Sequence, residues 1–125
     1  MKLLPVILVC GLAAFFALRP AMNKGSRVSA GEAKALIDNG DCLLLDVRDP
    51  GEYAEGHIPG AVNLPLDRIR AGEELLPPDK GGLILVYCLT GRRAGRAVKA
   101  LTALGYTQAK NMGGVMNWPY GIEKN

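Results

Sequence analysis

The residues best equipped for chemistry are consecutive: Cys88-Leu89-Thr90-Gly91-Arg92-Arg93. A cysteine becomes a nucleophile as its thiolate, which nearby cations and N–H dipoles favour. Arg92 and Arg93 supply the cations, and Gly91 permits the backbone angles that let a short loop turn its N–H groups inward. Such a loop is a cradle for a small anion. The competing reading of Cys88 is a plain buried apolar cysteine at a strand end. The glycine and the arginine pair that follow it argue for the reactive thiol.

The elements that must hold this loop are legible on both sides of it. Leu83-Ile84-Leu85-Val86-Tyr87 is a continuous apolar run of strand-forming residues, the pattern of a strand buried on both faces. From Arg92 to Leu104 a helix is expected, with Ala94, Ala97, Val98, Leu101 and Leu104 along one face. The thiol therefore stands between the carboxyl end of a strand and the N-terminus of a helix, where open α/β sheets bind ligands and where the helix dipole favours negative charge. Arg92, Arg96 and Lys99 recur at helical spacing. They form either a positive funnel for anionic ligands or an ordinary solvated face.

Other candidates are weaker. His57 is the sole histidine and invites a Cys–His pairing, but it sits in the turn-like run Gly56-His57-Ile58-Pro59-Gly60 and reads as structural. Asp46 and Arg48 flank the end of another strand, so a pair between them, or with Glu52, would support the site rather than react. Three cysteines without a CxxC pair, and one histidine, fit neither a disulfide framework nor a typical zinc set. Cys42 falls within a strand, and Cys10 reads as an apolar residue of an apolar segment. A net charge of +3 is too mild to point to nucleic acid.

Further out, Ser29 to Glu32 fits a capping box, Ala33, Leu36 and Ile37 continue the helix, and Asn39-Gly40 stops it. Cys42 to Val47 is a second doubly buried strand, Asp49-Pro50 opens a short helix, and Ala61 to Leu64 makes a short strand. Gln108 to Met112 is the last strand, followed by a short helix near Trp118. Strands alternating with helices predict an α/β fold with a mainly parallel sheet. The 125 residues, 49% hydrophobic and 22% charged, suit one globular domain with a short extension. The boundaries read as 1–22 for an apolar N-terminal helix, 23–27 for a polar linker and 28–125 for the domain.

Three runs carry a family resemblance. Asp46-Val47-Arg48, with Glu52-Tyr53 and the stretch from Gly56 to Pro65, resembles the signature of rhodaneses. Val86-Tyr87-Cys88 with Gly91 and Arg93 is similar to their active-site loop, and Gly113-Gly114 with Trp118 to their closing segment. The resemblance implies a central five-stranded parallel sheet flanked by helices. It also implies transfer of a sulfane sulfur from thiosulfate or a like anionic donor to a thiol or cyanide acceptor. The sulfur would travel as a Cys88 persulfide, with Leu89 to Arg93 binding substrate, Asp46, Arg48 and His57 in support, and no metal or organic cofactor needed. Two alternatives stay open. A phosphatase or arsenate reductase would use the same thiolate cradle, although the Cys-x5-Arg spacing of phosphatases would put its arginine at Ala94 here. A non-catalytic module docking a partner at a membrane would not need Cys88.

Leu3 to Leu18 is an apolar run between Lys2 and Arg19. It is short beside the ~20 residues of a usual spanning helix, yet no small-residue cleavage site follows it. It reads as an uncleaved anchor in the inner or plasma membrane, with a cleaved export signal as the alternative. Arg19, Lys24 and Arg27 lean the domain towards the cytoplasm, the likeness to exported rhodaneses leans it outwards, and the side stays open. The full chain is expected to sediment with membranes and a chain starting near Ser26 to stay in the supernatant. A soluble mature chain lacking its first ~20 residues would make the segment a cleaved signal.

Overall fold

The computed structural model describes residues 26–71 and 75–125. The expected N-terminal helix and most of the linker lie outside them. Among the described residues no helix is long and apolar enough to cross a membrane.

Helix α1 spans Ala30–Asn39 and its ends follow from its sequence. The Ser29 hydroxyl accepts the Glu32 N–H at 3.1 Å, and Glu32 Oε1 accepts the Ser29 N–H at 2.8 Å. Gly40, at φ +85°, closes the helix in the left-handed conformation. Strand β1, Cys42–Asp46, then runs into the core, followed by α2, Pro50–Glu55, with proline in its first turn. Strand β2 is reduced to Val62–Asn63, and α3, Leu66–Arg70, follows at once. Sequence periodicity did not anticipate α3, because Leu66 and Ile69 are its only buried positions. Strand β3, Leu83–Cys88, helix α4, Arg92–Ala103, and strand β4, Gln108–Gly114, complete the sheet, and a single 3-10 turn covers Val115–Asn117.

Among the described residues the strands of the sheet pair in parallel, in the order β2-β1-β3-β4. The pleat of β1 and β3 divides the core in two. Leu45, Ile84, Val86 and Cys88 face α3 and α4 with Ile69, Ala97 and Leu101. Leu44, Leu85 and Tyr87 face the other way, towards Ala33 of α1, Ile58 and Met112. Both faces of the central strands are covered, which is why their sequences read as unbroken apolar runs.

The described sheet has four strands, not the five that the family resemblance implied. Where another strand would flank β4, the chain makes a single bridge between Arg27 and Asn111. The Asn111 N–H donates to Ser26 O at 2.6 Å and the Val28 N–H to Asn111 O at 3.1 Å. Ser29 then caps α1, so the backbone turns into the helix before a ladder can form.

At the carboxyl end of β1 a buried ion pair joins separate elements. The Arg48 guanidinium grips the Asp46 carboxylate with Nε at 3.0 Å and Nη2 at 2.7 Å, and Nη2 also donates to Gly56 O at 2.7 Å. The Asn63 side chain donates to the carbonyls of Asp46 and Arg48 at 3.0 and 2.9 Å. Burial would lower the pKa of Arg48, but the hydrogen bonds it donates to Asp46 raise it and hold it charged. This cluster fixes α2 and β2 to the end of β1. Asp46→Ala would strand the buried Arg48 cation, and an unfolding free energy lower by about 3–5 kcal/mol is expected in urea denaturation. A loss under ~1 kcal/mol would mean that solvent reaches Arg48 and the pair is not structural.

Candidate active site

Cys88 is the last residue of β3 and is only 1% exposed. Its surroundings come from an irregularity in the neighbouring strand. Val86 pairs with Asn111 but Cys88 pairs with Gly114, so β4 carries an extra residue there and bulges. Gly113 absorbs the bulge at φ +97°. Gly114 is packed so closely against the loop after Cys88 that a Cβ on it would fall 2.0 Å from Leu89 O. Leu89 O also accepts the Met116 N–H at 3.2 Å. The C-terminal strand thus forms a floor under the loop.

On that floor the loop folds back on the sulfur. Cys88 Sγ accepts the Gly91 N–H at 3.0 Å and the Ala94 N–H at 3.3 Å. Gly91 caps α4 in the left-handed region, at φ +104°, and its carbonyl starts the helix by accepting the Gly95 N–H at 3.0 Å. A buried sulfur that accepts two N–H groups at a helix N-terminus is set up to carry negative charge.

The other expected residues fall into distinct settings. Leu89 and Thr90 are exposed on the loop, and Arg92, Arg96 and Lys99 are exposed along α4. Arg93 turns towards α2 and forms a bidentate pair with Glu52, Nη1 to Oε1 at 2.8 Å and Nη2 to Oε2 at 3.0 Å. Glu52 Oε1 also accepts the Asp49 N–H at 3.1 Å. The Arg93 hydrogen bond holds the Glu52 carboxyl below the usual glutamate range, and the same bond raises Arg93. Glu52 therefore joins Arg93, not the Asp46–Arg48 pair. A cleft of about 350 Å³ opens beside the loop, between Leu89, Val115 and Ile122 and the polar side chains of Arg48, Glu52 and Glu55.

His57 does not join the loop in any of its described contacts. Its ring stacks flat on Tyr53 at 3.8 Å, and Nδ1 lies 2.8 Å from Tyr53 O. Its backbone exchanges hydrogen bonds of 2.9 and 2.8 Å with Glu123, pinning the C-terminal segment. Cys42 begins β1 in register with Leu83, so it lies at the other end of the sheet from Cys88. Burial, and then the charge of Asp41, pushes its thiol up, which keeps it protonated.

Residues 29–119 match the Rhodanese-like domain family. The chain belongs to that family. Among characterised proteins, this rhodanese-like domain is 39% identical over 71 residues to the thiosulfate sulfurtransferase PspE of Escherichia coli K12, covering 57% of this chain and 68% of that one. It is 36% identical over 87 residues to a sulfurtransferase of Allochromatium vinosum, covering 69% and 79%. Among solved structures, a rhodanese with anions from E. coli superposes with a TM-score of 0.62 at 34% identity, covering 67% of this chain and 99% of that one. The human single-domain sulfurtransferase TSTD1 gives 0.68 at 29% identity, covering 75% and 94%.

One residue of the site escaped sequence reasoning. Asn111, in β4, donates through Nδ2 to Gly91 O at 3.0 Å and accepts the Gly113 N–H at 2.8 Å. Gln108 and Lys110 of the same strand are polar too, so polarity did not set Asn111 apart.

The Arg93–Glu52 pair gives a pH signature. Because the folded Glu52 carboxyl is depressed, the pair stabilises the domain above the ordinary glutamate value, and that stability is lost as pH falls through the depressed value. Glu52→Gln should lower the urea midpoint at neutral pH, and its gap from the wild type should narrow below pH ~4. An equal gap at both ends of the range would rule out this pairing as its cause.

Proposed function

We propose that this domain is a sulfurtransferase that carries sulfane sulfur on Cys88. The supporting observation is the Sγ atom itself, buried at a strand end and accepting N–H groups from Gly91 and Ala94 at 3.0 and 3.3 Å. The relatives named as sulfurtransferases support the same general chemistry.

In the first half-reaction the Cys88 thiolate attacks the outer sulfur of an anionic donor of the thiosulfate type. The sulfur–sulfur bond of the donor breaks, sulfite leaves with the bonding electron pair, and a persulfide forms on Sγ. Loop N–H groups and the N-terminus of α4 stabilise the negative charge through this exchange. Arg92, Arg96 and Lys99 draw the anionic donor to the loop. In the second half-reaction a deprotonated acceptor thiol, its proton released to solvent, attacks the outer sulfur of the persulfide. The new persulfide departs on the acceptor and the Cys88 thiolate returns. The cleft beside Leu89 gives that acceptor room to approach. The cycle is ping-pong covalent catalysis and uses no metal or organic cofactor.

Phosphoryl chemistry fits the loop less well. The position of a phosphatase arginine is taken by Ala94, which is fully buried and gives its backbone N–H to the sulfur. The membrane anchorage read from residues 1–22 belongs to the same proposal and would hold the domain at a membrane surface.

The deciding experiment is intact mass after incubation with thiosulfate. Wild type and Cys42→Ser should each gain one sulfur atom and pass it to cyanide, while Cys88→Ser should gain none and lose at least ~10³-fold of the transfer rate. Wild-type turnover in Cys88→Ser would refute the nucleophile. A protein that never takes up sulfur from any sulfane donor would refute the reaction class.

A further inference from the structure

Asn111 lies 6% exposed in the strand beneath the Cys88 loop, and its side chain joins two glycines that both adopt positive φ. Its Nδ2 donates to Gly91 O at 3.0 Å and its Oδ1 accepts the Gly113 N–H at 2.8 Å. The two glycines touch: a Cβ on Gly91 would fall 3.3 Å from the Gly113 Cα and 3.8 Å from Asn111 Oδ1. The loop is thus clamped to the bulge of β4 by one amide.

The Gly91 carbonyl sits between the Asn111 amide and the Gly95 N–H, so the peptide after Gly91 has a fixed orientation. At φ +104° this fixes the direction of the Gly91 N–H as well, and that N–H lies 3.0 Å from Sγ. Gly91 has no side chain of its own with which to resist rotation, so an unheld loop would lose this donor first. Leucine has a shape close to that of asparagine but neither donor nor acceptor. It would leave the Gly91 carbonyl with the Gly95 N–H alone and the Gly113 N–H without its partner.

We propose that Asn111 is a positioning residue for Cys88, holding the Gly91 N–H on the sulfur, where it stabilises the negative charge of the thiolate and of the persulfide. The persulfide part of this rests on the proposed sulfur transfer; the thiolate part does not. Asn111 touches neither Sγ nor a substrate, and it acts through Gly91.

The test uses the full chain and a reagent that needs no sulfur chemistry. Iodoacetamide alkylation of Cys88 is followed against pH in wild type, Asn111→Leu and Asn111→Ser, with Cys42→Ser as a common background. The midpoint should move to higher pH by about half a unit to one unit in both variants, and kcat/KM for thiosulfate should fall roughly threefold to tenfold. Folded variants with a wild-type pH profile would overturn the proposal, even if their urea midpoints fell, since a merely structural role moves stability alone. The smaller serine covers the case that leucine does not fold. The wild type gives an independent reading should neither fold: the Asn111 side-chain amide resonances should resist solvent exchange and shift when Cys88 is alkylated, and free exchange with no shift would overturn the clamp. If wild type takes no sulfur from thiosulfate while the alkylation profiles still move, the sulfur-transfer reading fails and the Asn111 role stands.

Discussion

A sulfur buried at the end of a parallel strand can carry charge only with hydrogen-bond donors that the strand itself cannot provide. The arrangement around Cys88 answers that need. Sγ is closed off from solvent, and the nearest donors are backbone N–H groups of the loop and of the first turn of α4. For those groups to point at the sulfur, the loop must bend sharply at Gly91 and lie flat on β4. β4 in turn must bulge at Gly113 and carry no side chain at Gly114. The central strands are buried on both faces, so the frame that fixes these positions is rigid.

The charges around the loop divide by the company they keep. Arg93 is the arginine whose spacing invited a direct part in chemistry, and it is occupied with Glu52 of α2. The Glu52 hydrogen bond is the chief influence that raises Arg93. Its hydrogen bonds fasten α4 to α2. Arg92, Arg96 and Lys99 are left in solvent along α4. Asp46 and Arg48 neutralise one another beneath α2. Arg48 and Arg93 are buried or half-buried with carboxylate partners, and the cations along the outer face of α4 are exposed.

Local signals in the sequence carried much of the fold. Ser29, Glu32 and Gly40 state both ends of α1, and the apolar runs of β1 and β3 announce strands buried on both faces, because each of these depends on neighbours within a few residues. The Cys88 loop was legible for the same reason: cysteine, glycine and arginines stand together. The choice of Arg93 as the partner of Glu52 was not legible. It depends on how α2 and α4 come together across 41 residues of chain. The missing flanking strand and the clamp by Asn111 were hidden in the same way. One depends on how soon Ser29 turns the chain, the other on a register shift between β3 and β4 that no periodicity shows.

Asn111 also has a place in the path of mechanical load. Its backbone holds Ser26 and Val28, at the start of the described residues, and its side chain holds Gly91. A pull on the chain at Ser26 would reach the sheet along the parallel bridge of Arg27 to Asn111, in shear, at the same residue whose side chain holds Gly91. Tension on the chain at Ser26 and the seat of the Cys88 loop therefore share a single amino acid.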